Sequence, residues 1–187
     1  IAALEFFGGP GFIDGGYRRI IQNNFARAAA YQPKWDDWLK NSYVNLTCND
    51  PAGLCSPAMS AYHVRPEPKP YPLLNFCPLF FTQRSLEEAV QYAADPERGG
   101  DKFDLRSYDR NQGLIFLHEI MHISAVGQPQ ITDITTTYRG REYGAIGPTY
   151  CKYLARNNDG DNVAQTARNA DSYAQFAMAV YVQEKLG

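Results

Sequence analysis

Apolar positions first recur with helical spacing between Tyr17 and Tyr31, where Ile20, Ile21, Phe25 and Ala28 share one stripe and Arg18, Arg19 and Asn23 lie off it. That stripe predicts a helix. The sixteen residues before it are glycine-rich and end in Asp14-Gly15-Gly16, which predicts a loop or arm. Pro33 opens a second, short helix through Trp35, Trp38 and Leu39, because its missing N–H is no loss in a first turn. From Cys48 to Pro72 prolines and turn formers dominate, so short strands and loops are expected. Leu73 to Phe81, "LLNFCPLFF", is the best strand, and Pro78 predicts that it lies at a sheet edge or ends at a bulge. Ser85 with Glu88 three residues on forms a capping box for a helix to about Ala94. A polar loop from Asp95 to Arg110 follows.

The next helix runs from Asn111 to about Val126 and is stopped by Gly127 and Pro129. Thr132 to Gly147 reads as irregular. Pro148 begins another helix, and Asp161 or Asn162 caps a long final one reaching Lys185. Several helices with a few short strands place the chain in the α+β class. At 187 residues, with 44% hydrophobic and 20% charged residues, it is expected to form one domain over its whole length, 1–187, with the glycine-rich arm 1–16 at its start.

The net charge is −2 with acids and bases interspersed, so neither nucleic acid nor a membrane surface is an expected partner. No apolar run approaches the roughly 20 residues that span a bilayer. The chain begins at Ile1 without a signal-peptide pattern, as expected of a trimmed or mature product. Cys48, Cys55, Cys77 and Cys151 are an even set with no C-x-x-C pair, which favours two disulfides over a thiolate metal site. Asn45-Leu46-Thr47 is a glycosylation sequon. Together these predict secretion, with buried free thiols in a cytosolic protein as the alternative.

The helix from Asn111 contains the principal chemistry. Leu114, Ile115, Phe116, Leu117, Ile120, Met121 and Ile123 leave it no solvated face, yet His118, Glu119 and His122 sit among them. Burying two imidazoles and a carboxylate without partners costs several kcal/mol. A metal ion removes that cost. Histidines four apart share one helix face, and the glutamate between them projects beside the metal, where it can take a proton from water polarised by the ion. This is the H-E-x-x-H arrangement of zinc hydrolases. A third ligand is required. The metzincin histidine is excluded, since Gln128 stands at its position; Glu142 lies in a glycine-flanked loop; His63, the one other histidine, is far upstream; and Asp133 follows the Gly127–Pro129 break, where the chain can turn back over the metal. Asp171 falls on a core-facing stripe with Ala167, Ala174 and Met178, and is expected to accept a hydrogen bond from a ligand histidine.

H-E-x-x-H followed eleven residues later by Asp133, then Tyr143-Gly144, "NADSYAQFA", "NFCPLFF" and the Cys48-to-Cys55 step, resembles the deuterolysin-type metallopeptidases, the aspzincins. The resemblance covers roughly Cys48 to the C-terminus. Where that family reads Gly-Thr-x-Asp-x-x-Tyr-Gly, this chain reads Gln130-Ile131-Thr132-Asp133-Ile134-Thr135-Thr136, with Tyr-Gly displaced to Tyr143-Gly144. The resemblance implies a zincin-like fold, Zn²⁺ on His118, His122 and Asp133, Glu119 as general base, and Tyr143, with Tyr138 as competitor, assisting catalysis. It also implies a Cys55–Cys77 disulfide, leaving Cys48 and Cys151 as the other pair, with a local Cys48–Cys55 loop as the alternative. The expected function is a secreted zinc endopeptidase, acting as a monomer on protein or peptide substrates. The alternatives are a non-catalytic zinc-binding or surface-interaction module on the same scaffold, and hydrolysis of a non-peptide amide.

Overall fold

The computed structural model describes residues 2–9, 16–31, 44–64, 72–98, 100–156 and 162–187. The helix expected from Pro33 and a cap at Asp161 lie outside them. Among the described residues the chain is α+β, with eight α-helices and two small sheets. No described helix is long and apolar enough to cross a membrane.

The expected N-terminal arm is in part a core element. Helix α1 (Ala2–Phe7) buries Phe6 and Phe7, and the Phe7 ring stands edge-on to Phe25, Tyr173 and Phe176 at 5.1 to 6.4 Å. Burying two phenylalanines contributes roughly 1.5–3 kcal/mol each, enough to hold one short helix against the neighbouring glycines. Helix α2 (Tyr17–Ala30) forms as its stripe predicts, with Ile21 and Asn24 buried.

The three-stranded sheet has the order β1-β3-β2, where β1 is Asn45–Thr47, β2 is Ala61–Val64 and β3 is Leu73–Phe76. β1 runs parallel and β2 antiparallel to β3. β3 is therefore central rather than at an edge, and all four of its residues are buried. Pro78 does not conflict with this, because the strand has ended and Pro78 opens helix α3 (Pro78–Thr82), where its missing N–H costs nothing. Leu74 and Phe76 face Ile120 and Ile123, while Leu73 and Cys77 face Tyr62 on the other side. The Cys55–Cys77 disulfide ties the loop before β2 to the end of β3. A second disulfide does not form: Cys48 is an exposed free thiol beyond edge strand β1, whereas Cys151 is a buried one in the main core, donating to the Ala145 carbonyl at 3.1 Å. A Cys48–Cys55 loop is likewise absent.

Helix α4 (Leu86–Ala94) has the expected capping box, with Ser85 N–H donating to Glu88 Oε2 at 2.8 Å and Glu88 N–H to Ser85 Oγ at 3.2 Å. Helix α5 (Gln112–Met121) is capped by Asn111, whose Oδ1 accepts from Leu114 N–H at 2.9 Å. It stops short of the expected Val126. His122 keeps helical angles as the C-cap, and the chain then turns through Gly127. A Cβ at Gly127 would lie 2.1 Å from the Met121 carbonyl oxygen, so only glycine lets the chain double back here.

The segment expected to be irregular is a hairpin, β4 (Thr135–Tyr138) with β5 (Arg141–Gly144). Arg139 and Gly140 both take positive φ, 50° and 76°, which makes the two-residue turn whose twist matches paired strands. After helix α6 (Gly147–Arg156) the single long helix expected at the end is two, α7 (Asn162–Thr166) and α8 (Ala170–Leu186). The interruption lets Thr132 N–H donate to Arg168 O at 2.8 Å and Thr132 O accept from Ala170 N–H at 3.0 Å. Leu114 of α5 packs with Ala174 and Met178 of α8, so the H-E-x-x-H helix is flanked by α8 on one side and by the sheet on the other.

Candidate metal centre

The four-residue step carries His118 and His122 to one face of α5, their ring centroids 5.0 Å apart. Each ring is held from outside through Nδ1: His118 Nδ1 lies 3.1 Å from Asp171 Oδ1, and His122 Nδ1 lies 3.1 Å from the Ile131 carbonyl oxygen. Both oxygens are acceptors, so each ring holds a proton on Nδ1 and turns its Nε2 inward. The two Nε2 atoms are 3.3 Å apart. Asp133 Oδ1 lies 3.1 Å from His118 Nε2 and 3.4 Å from His122 Nε2. Metal bonds of 2.0–2.1 Å in a tetrahedral site separate neighbouring donors by about 3.3 Å. The three donors present fit that spacing.

Protons alone can satisfy this triangle only by making an imidazolium. Burial works to lower the His118 pKa, but hydrogen bonds to Asp133 and Asp171 and the surrounding carboxylate charge hold it up to about 10. Burial likewise works to raise the Asp133 pKa, and its hydrogen bonds to both histidines outweigh that and take it well below the usual carboxylate range. A divalent cation at the same point would displace the shared proton and meet all three donors at once.

Asp133 reaches this point because its backbone is fixed on both sides. Thr132 bridges to the start of α8, and Ile134 N–H donates to Asn169 Oδ1 at 3.2 Å. The turn before it is held by α2, where Arg27 Nε donates to Val126 O at 2.7 Å and Asn24 Oδ1 accepts from Gln128 N–H at 3.0 Å. Asp171, 2% exposed, is fixed too: its Oδ2 accepts from Gly147 N–H at 2.6 Å and Gln175 Nε2 at 3.2 Å, and lies 3.4 Å from the Cys151 sulfur. Burial, followed by the charge of Asp171, raises the Cys151 thiol well above its ordinary range.

Glu119 is 6% exposed, and its Oε2 has no hydrogen-bond partner among the described residues. It lines, with His118 and Asp133, a cleft of about 760 Å³ whose apolar wall includes Leu79, Ile115 and Ile146. Asp109 lines the same cleft, with its carboxyl pKa raised by burial and then by the Asp171 charge. His63, set aside in the sequence because of its distance along the chain, stacks on His122 with centroids 3.9 Å apart. Its signal was the alternation of "AYHV": Tyr62 faces one side of the sheet, so His63 faces the other, towards α5. Tyr143 and Tyr138 are brought to each other and not to this group. Tyr143 stacks on Tyr150 at 4.7 Å, Tyr138 stands edge-on to Tyr153 at 4.9 Å, and neither lines the cleft.

No protein-family model matches the chain, and no curated protein matches it.

Proposed function

We propose that this chain is a secreted zinc endopeptidase of the deuterolysin type on a zincin-like scaffold, acting as a monomer on protein or peptide chains. One observation carries the reading: His118 Nε2, His122 Nε2 and Asp133 Oδ1 converge to within 3.1 to 3.4 Å of one another beside a buried glutamate at a cleft. The disulfide and the exposed Asn45 of the sequon support an extracellular setting.

His118, His122 and Asp133 would hold Zn²⁺, and the chemistry it would supply there is Lewis acidity towards a carbonyl oxygen and a water molecule. Glu119 accepts the proton of the attacking water and delivers it to the leaving amine. Asp171 and the Ile131 carbonyl orient the two imidazoles through Nδ1 and present their Nε2 atoms to the cation. The apolar wall around Ile115 and Ile146 offers contact surface to substrate side chains. Tyr143 and Tyr138 are left out of the mechanism. A module that only stores zinc has no use for a buried carboxylate beside the ligands, and Glu119 therefore favours the enzyme over the binding protein.

Asp171→Asn tests the orienting role. Gly147 N–H and Gln175 Nε2 both donate to Oδ2, so the asparagine oxygen must stay there and its NH₂ must face His118 Nδ1. That moves the His118 proton to Nε2, and zinc affinity falls by about 10- to 100-fold in a competition titration against a chelator. Affinity equal to wild type would show that Asp171 does not set the tautomer.

The reading as a whole is tested by incubating zinc-loaded and chelator-treated protein with a denatured protein substrate and identifying fragments by mass spectrometry. Cleavage only in the zinc-loaded sample is expected. Intact substrate in both samples would leave the non-catalytic binding module as the better reading.

A further inference from the structure

We infer that His63 is the positioning residue for Glu119, an assignment that rests on the peptidase reading above. A base must present one carboxylate oxygen to the attacking water, yet the terminal torsion of glutamate is broad and two-fold, so a free carboxylate has no fixed orientation. Something must hold the other oxygen. Glu119 Oε2 is buried without a hydrogen-bond partner among the described residues, and His63 Nδ1 lies 3.6 Å from it.

The rest of the fold holds His63 in that position. Its pairing opposite Leu74 sets its place on β2, and strand alternation turns its side chain to the α5 side. The ring then lies nearly parallel to that of His122, with an interplanar angle of 19° and centroids 3.9 Å apart, which fixes the plane in which Nδ1 points. Nδ1 is the ring nitrogen that lies 3.6 Å from the orphan oxygen, so a proton there is the one the inference requires. The 3.6 Å separation exceeds the 2.7–3.2 Å of a formed N–H···O bond, and catalytic hydrogen bonds that are long in the free protein tighten when substrate closes the site.

A second cation between His63 and Glu119 is the competing use of the same atoms, and the donor count disfavours it. His122 Nδ1 is engaged by Ile131 and its Nε2 faces His118 and Asp133. His63, Glu119 and His122 do form a second group of three donors, but with His122 committed to His118 and Asp133 such an ion would keep two protein ligands, fewer than the three a catalytic zinc site keeps.

Two variants separate the donor from the stack. His63→Phe keeps a flat ring against His122 and removes the donor, while His63→Asn removes the ring and keeps an N–H near the Nδ1 position. With His63→Phe, kcat falls by about 10- to 100-fold while KM and zinc affinity stay at wild-type values. His63→Asn recovers most of that loss. Wild-type kcat in the phenylalanine variant, or equal impairment of both, overturns the assignment. Long-range ¹H–¹⁵N spectra of the zinc-loaded wild type give a readout without turnover: His63 carries its proton on Nδ1, and that resonance moves in Glu119→Gln. A bare Nδ1, or a resonance unmoved by the substitution, also overturns it. A protein that cleaves nothing while its His63 meets both spectroscopic expectations contradicts the peptidase reading and upholds the contact.

Discussion

Glu119→Gln retains zinc and loses hydrolysis, with kcat lower by about 10²- to 10⁴-fold, the range a positioned general base contributes. Glutamine matches glutamate in size and cannot accept the proton, so the substitution removes chemistry and leaves packing in place. Zinc should remain because the proposed ligands are His118, His122 and Asp133, with Glu119 projecting beside them. The buried Oε2 sharpens the expectation, since replacing an oxygen that has no hydrogen-bond partner among the described residues with an amide is not expected to unfold the helix. Zinc content by elemental analysis and kcat on a peptide, measured on one preparation, check both halves. Turnover at the wild-type rate would remove Glu119 from the mechanism, and loss of zinc would make it a ligand.

Asp133→Ala has the second large effect, on zinc itself. The carboxylate is the only anionic member of the donor triangle and is half-exposed, while the backbone around it is held by Thr132 and Asn169 independently of its side chain. The variant therefore folds and binds zinc more weakly by more than the about 10- to 100-fold that a lost outer partner costs. Zinc at 1,000 times its Kd stabilises the wild type by about 4 kcal/mol, and in Asp133→Ala at the same zinc concentration this gain falls below about 1.4 kcal/mol. Thermal unfolding with and without zinc measures it. A zinc-dependent rise as large as that of the wild type would place the third ligand elsewhere.

The parts of the site that lie within one helical turn were legible in the sequence, because a four-residue step on a helix is a distance as well as a pattern. His118, Glu119 and His122 are of this kind. Asp133 was reached through the break at Gly127 and Pro129 and the resemblance, although what places it, the pairing of Thr132 across to Arg168 and Ala170, is a contact between distant segments. His63 depended on strand pairing with β3 and on packing of the sheet against α5, neither of which the local pattern contains. Helix α1 was obscured by the glycines that follow two phenylalanines, whose burial requires Phe25, Tyr173 and Phe176. The hairpin was missed because its turn is Arg139-Gly140 rather than Asn-Gly, and the non-glycine at positive φ gives little warning. The interruption before α8 likewise follows from Asn169, whose amide serves Ile134, Ala145 and Ser172 instead of continuing a helix.

Anomalous diffraction at the zinc absorption edge, from crystals of zinc-loaded protein, tests the central claim most directly. The account predicts a single strong peak bonded to His118 Nε2, His122 Nε2 and Asp133 Oδ1 at about 2.0–2.2 Å, with Glu119 outside bonding distance. A peak elsewhere, between His63 and Glu119 for example, or no peak at this triangle in a folded protein, would contradict it.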